Sequence, residues 1–130
     1  MKKPLVYLAS PYRGNQKQNE TFARMALYYA IQSGTVPIAP HLLYPQVLDD
    51  SLAGERALGI ALDLALLNRC DALWLCGDEI SAGMEMELEE ARKVGIPCRM
   101  IPAEEIMQVL HAEAFQQRKT GGEDVIEQML

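Results

Sequence analysis

The stretch SAGMEMELEEA (Ser81–Ala91) carries four glutamates in six residues, Glu85, Glu87, Glu89 and Glu90. Carboxylates serve as general acids, general bases and nucleophiles, but on a helix the rotation per residue decides which of them can reach a site. At about 100° per residue, Met84, Leu88, Ala91, Val94 and Gly95 fall on one arc, the arc expected against a sheet. Glu87 lies inside it; the other three lie outside and read as solvated charge. An inward carboxylate is costly unless it is hydrogen-bonded or opens on a polar cavity, so Glu87 is the candidate for chemistry. The structural alternative is a boundary Glu paired with a nearby Arg or Tyr. Asp63 poses the same problem, since it interrupts the apolar run IALDLALL; its alternative role is a buried hydrogen bond to a loop N–H. A Glu and an Asp converging on one crevice suit glycosyl transfer, in which one group attacks the anomeric carbon and the other handles the leaving group. No cofactor or metal is expected. His41 and His111 are the only histidines, and neither they nor the cysteines show metal-ligand spacing.

The elements that must position these residues follow from the hydrophobic pattern. PLVYLA (4–9) is a short buried strand ended by the turn-forming SPYRGN. Residues 16–33 are an amphipathic helix on the spacing of Phe22, Met25, Ala26 and Tyr29, with Gly34 as its stop. TVPIAP is a second strand weakened by Pro37, and HLLYPQVLDD is a long loop of the kind that carries function. Residues 51–69 form a second helix, apolar on nearly every side from Leu58 to Leu67, which predicts burial against a second copy of the chain as well as its own sheet. ALWLC (72–76), a helix over 81–94, the strand IPCRMI (96–101) and a helix over 103–116 complete the alternation. Such alternation predicts an α/β, flavodoxin-like (Rossmann-like) three-layer sandwich with a parallel sheet of four to five strands. One domain over 1–117 and a polar tail over 118–130 are expected.

In this architecture ligands bind at the carboxyl ends of the strands. Three loops meet there: the first supplies Ser10, Tyr12, Arg13 and Gly14, the second His41 and Tyr44, and the third ends at Ser81 and Gly83, beside Met84. Ser81 can cap its helix and leave the first N–H groups for an anion such as phosphate, although most such caps serve only the helix.

Composition sets the outer limits. A chain of 130 residues, about half of them apolar, is the size of a single globular domain. The net charge of −6 disfavours a nucleic-acid polymer as partner. No run has bilayer-spanning length, and the N-terminal apolar run is too short for a signal peptide, so no membrane association is expected. Cys70, Cys76 and Cys98 read as reduced, mostly buried thiols of a cytoplasmic protein.

Three segments, LVYLASPYRG, ALDLALLNRCDALWLCG and SAGMEMELEEARKVGIP, resemble the nucleoside 2-deoxyribosyltransferase family, including its 2′-deoxynucleoside 5′-monophosphate N-hydrolase branch. They resemble more closely the small uncharacterised bacterial and phage proteins grouped near it. The resemblance runs from about Leu5 to Pro97, and its most specific part is the spacing of Ser81, Gly83, Glu87, Ala91, Gly95 and Pro97. It implies a homodimer or homotetramer and a nucleoside or nucleotide substrate. It further implies Glu87 as nucleophile, Asp63 at the departing nucleobase, Tyr7 near the sugar, Arg13 as the basic residue after the first strand, and Ser81 with Gly83 at the 5′ end. The hydrolase branch has Gly-Ser where this chain has Ser10-Pro11, and the loop PHLLYPQVLDD belongs to the uncharacterised group. The expected reaction is hydrolysis or deoxyribosyl transfer at an N-glycosidic bond; the alternative is a non-catalytic nucleotide-binding module with the same pocket.

Overall fold

The computed structural model describes residues 2–110. The expected tail over 118–130, His111 and the end of the last expected helix lie outside the described residues.

Strand β1 (Leu5–Ala9) is followed by helix α1 (Gln16–Gln32), strand β2 (Val36–Ile38), helix α2 (Ala53–Leu67), strand β3 (Ala72–Cys76), helix α3 (Ala82–Val94), strand β4 (Cys98–Ile101) and helix α4 (Ala103–Leu110). The four strands are all parallel and lie in the order β2-β1-β3-β4. Every connection between parallel neighbours is therefore a helical crossover. Side-chain alternation along the strands separates two cores. Tyr7, Ala9, Leu73 and Leu75 pack with Leu67 of α2 and Met84, Leu88 and Ala91 of α3, whereas Val6, Leu8 and Cys76 pack with Tyr28, Tyr29 and Ala30 of α1 and Ile106 of α4. The result is the expected α/β flavodoxin-like sandwich, with two helices on each face.

Local chemistry explains most element ends. Asn15 caps α1 by accepting from the Gln18 N–H (3.1 Å), and Asp78 accepts from the Ala103 N–H (3.0 Å) at the start of α4. Pro37 is tolerated because β2 is an edge strand. The long loop after β2 is more regular than expected: Pro40–Leu42 and Tyr44–Gln46 are single 3-10 turns. Pro40 and Pro45 sit in their first turns, where a missing N–H costs nothing. Helix α2 begins at Ala53 rather than Ser51, because the Ser51 hydroxyl and N–H are both bonded to the Asp49 carboxylate.

Three expectations are corrected. Val94 is exposed; the chain turns at Gly95 (φ +83°), and Ile96 packs on the core in its place. Glu90 is not simply solvated, since it accepts from the Asn68 side chain at 2.7 Å and ties the end of α2 to α3. Cys98 is exposed, while Cys70 and Cys76 are buried.

Candidate active site

The strand order reverses direction at β1, with α1 leading to one side and α2 crossing to the other, and the crevice opens where β1 and β3 diverge at their carboxyl ends. A cavity of about 550 Å³ lies there, within the range of about 300–1,000 Å³ usual for small-molecule sites. Helix α2 lines it with a single stripe, Arg56, Gly59, Ile60, Asp63 and Leu64, at the spacing of successive helical turns. Helix α3 brings Ala82, Gly83, Met86 and Glu87 from its first two turns, and the loops add Ser10, Tyr12, Arg13, His41 and Ser81.

Asp63 and Glu87 therefore face one cavity, from helices on the same side of the sheet. Glu87 is 4% exposed, and neither of its carboxyl oxygens has a hydrogen-bond partner among the described residues. The Asp63 Oδ1 and the Tyr7 hydroxyl are equally buried and unpartnered. Among the described residues no loop N–H satisfies Asp63 Oδ1 and no arginine pairs with Glu87; of the structural alternatives only a tyrosine, Tyr7, comes near the Glu87 carboxyl. Polar atoms buried without partners are costly, and their concentration at one cavity is what a ligand with complementary groups would relieve.

Burial dominates the electrostatics. Desolvation raises the Glu87 pKa to about 7; the nearby Tyr7 phenol holds it down, and the Asp63 carboxyl adds a further upward push. That phenol comes near enough to act on Glu87 without completing a hydrogen bond. Asp63 is raised to about 6 by burial. Tyr7 is driven upward by burial and then by the negative charges of Glu87 and Asp63, so it stays a phenol. Burial lowers the pKa of His41, which favours the neutral imidazole. Its ring stacks on Tyr12 with centroids 5.4 Å apart and planes 22° from parallel, forming an aromatic wall.

Of the residues read from the sequence, Ser10, Tyr12, Arg13, His41, Asp63, Ser81, Gly83 and Glu87 line this cavity. Three do not. Met84 is fully buried in the core against the sheet, one helical position away from the lining residue Gly83, and Met86 faces the pocket instead. Gly14 turns the chain after β1 with φ +103° and lies outside the lining. Tyr7 points inward from the centre of β1 and lies behind Glu87, not on the pocket surface. Ser81 caps α3 by accepting from the Met84 N–H at 3.2 Å. Arg13 is paired with Asp50, Nη2 to Oδ2 at 3.4 Å. Asp50, Glu55 and Arg56 are lining residues that sequence reasoning missed. Their signal was LDD and GER at the end of a loop already marked as functional, and for Arg56 a position seven residues, two helical turns, before Asp63.

Among the described residues no group of three or more His, Cys, Asp or Glu side chains is placed to hold a metal ion, and no helix is long and apolar enough to cross a membrane.

Comparison with known proteins places the fold. A 2-deoxyribosyltransferase from the psychrotolerant bacterium Bacillus psychrosaccharolyticus superposes with a TM-score of 0.62 at 19% identity, over 75% of this chain and 72% of that one. A 2-desoxiribosyltransferase from Leishmania mexicana superposes with a TM-score of 0.56 at 16% identity, over 76% of this chain and 64% of that one. At such identities the likeness is one of fold. No curated protein matches the sequence. Residues 4–101 match the model of a family described as a domain of unknown function, DUF7768, and the chain belongs to that family.

Proposed function

We propose that the protein cleaves or exchanges the N-glycosidic bond of a 2′-deoxynucleoside or its 5′-monophosphate. The observation that carries this reading is the placement of Glu87 and Asp63, both with unpartnered buried oxygens, in one cavity at the switch point of the sheet. The likeness to deoxyribosyltransferase folds supports the choice of substrate class.

Ionised Glu87 attacks C1′ as the bond from C1′ to the base nitrogen breaks, through an oxocarbenium-like transition state. The bonding pair leaves with the base, and protonated Asp63 delivers a proton to it. Water or a second nucleobase then attacks C1′ of the glycosyl ester, freeing the Glu87 carboxylate and returning a proton to Asp63. The Tyr7 phenol, a donor held behind Glu87, steadies the carboxylate when it is charged. Tyr12 and His41 provide the flat wall against which a base stacks, and Ser10, Ser81 and Gly83 lie toward the sugar and its 5′ end. A second copy of the chain covers the outer face of α2, giving a homodimer or homotetramer. The three free thiols fit a reducing cytoplasm.

The test is chromatographic detection of free base after incubation with the four common 2′-deoxynucleosides and their 5′-monophosphates, with and without an added second base. Glu87→Gln is expected to lower release by at least about a thousandfold. In the unaltered protein, acid quenching during turnover is expected to leave one deoxyribosyl mass on the peptide containing Glu87. Release unchanged in Glu87→Gln would overturn the mechanism, and binding without release would leave a nucleotide-binding module.

A further inference from the structure

We infer that Asp50 determines specificity: it occupies the Arg13 guanidinium as an internal anion and makes the pocket select an unphosphorylated deoxynucleoside over its 5′-monophosphate. This inference rests on the proposed substrate class and chooses within it.

Two arginines line the cavity, Arg13 and Arg56, against four carboxyls, Asp50, Glu55, Asp63 and Glu87. Arg13, the cation that follows β1, already has a counter-ion in Asp50. The loop is built to keep that counter-ion at the mouth. Asp49 accepts from the N–H and hydroxyl of Ser51, and Glu55 reaches back from α2 to accept from the Asp49 N–H at 2.8 Å, so Asp50 sits within a tied turn. The negative field of this turn is felt across the rim: after burial, the charges of Asp50 and Asp49 are what hold the Tyr12 hydroxyl above its ordinary pKa.

A phosphate monoester brings between one and two negative charges near neutral pH. The nucleophile Glu87 must itself be ionised to act, so a bound monophosphate meets more carboxylates than arginines. To capture it, Arg13 would have to abandon Asp50 and leave an unpaired carboxylate beside the phosphate. An exposed pair of this kind is weak in itself; the penalty lies in the repulsion it leaves behind. The start of α3 contributes only about half a positive charge, and its serine oxygen already accepts from the Met84 N–H. A neutral 5′-hydroxyl meets none of these obstacles.

Titration calorimetry with the four common 2′-deoxynucleosides and their 5′-monophosphates tests the inference without requiring turnover. For the unaltered protein, the nucleoside of the preferred base is expected to bind at least tenfold more tightly than its monophosphate. Asp50→Asn frees Arg13 and is expected to move that ratio at least tenfold toward the monophosphate, while Arg13→Gln moves it further toward the nucleoside. Both residues lie at the exposed rim, and thermal unfolding checks that each variant is folded. Tighter binding of the monophosphate by the unaltered protein, or a ratio that Asp50→Asn leaves in place, overturns the inference. The expected binding pattern without any base release would sink the catalytic reading and leave this one standing. Absence of binding by all eight compounds overturns both.

Discussion

Glu87 and Asp63 are held where water would ordinarily stabilise their charge and does not, and this has two measurable consequences. A carboxyl whose native pKa exceeds its unfolded value of about 4 keeps its proton longer in the folded state. The associated stability is complete below about pH 4 and is lost as pH rises through about 6 for Asp63 and about 7 for Glu87. For Glu87 the loss is on the order of 3 kcal/mol. Thermal unfolding should therefore show the protein weakening from pH 5 to pH 8, and Glu87→Gln should lose less over that interval, ending more stable than the unaltered chain at pH 8 although inactive. Equal pH dependence in the two proteins would contradict the buried charge. Activity follows the pair: base release needs Glu87 ionised and Asp63 protonated together, so kcat/KM should climb on the acid side to a maximum between about pH 6 and about pH 7. Where Asp63 acts as the acid, a falling alkaline limb accompanies it, and the two apparent values belong to the pair because the carboxyls interact. Asp63→Asn should flatten that falling limb, which a pH profile of base release would reveal.

Among the elements, α3 matters most because its start shapes the pocket and its second turn carries Glu87. Its ends are secured by Ser81, which caps the first turn, and by Gly95 in the left-handed region. Ser81→Ala should cost about 1 kcal/mol of stability. Gly95→Ala should cost about the same through backbone conformation alone, because a Cβ there would meet nothing within 4 Å. Denaturant unfolding measures both. Helix α2 is the opposite case. One stripe lines the pocket, but only Leu67 is fully buried, and Leu58, Ala61 and Ala65 lie exposed along its outer side. That apolar stripe fits the second copy of the chain proposed above. Leu58→Arg should weaken self-association by at least about tenfold, and light scattering across a concentration series would show it. An unaltered chain that stays monomeric at all concentrations would remove the role given to α2.

At the scale of the whole molecule, the alternation of strand and helix was legible because parallel strands buried on both faces read as short apolar runs, here LVYLA and ALWLC. Glu87 was legible because helical rotation is regular through the middle of α3. The same rule failed at Val94, where the helix was about to end and Ile96 supplied the contact. Tyr7 was placed near the sugar by resemblance; strand alternation instead turns it under Glu87, and no local pattern distinguishes the two faces of a strand that is apolar throughout. Asp50 and Arg13 are 37 positions apart, and their pairing depends on how a proline-rich loop folds back, which no periodicity records. The two cores also leave the thiols unequal. Burial pushes Cys70 up to about 11 and Cys76 up to about 12, and both are enclosed, whereas Cys98 opens to solvent at the start of β4. A thiol-specific reagent should therefore add one label to the native protein and three after unfolding, as mass spectrometry can count. Cys98 stands at the amino end of the sheet and the pocket at the carboxyl end. The molecule can thus be tethered to a surface or carry a dye by one native sulfur, with its binding mouth left facing the solution.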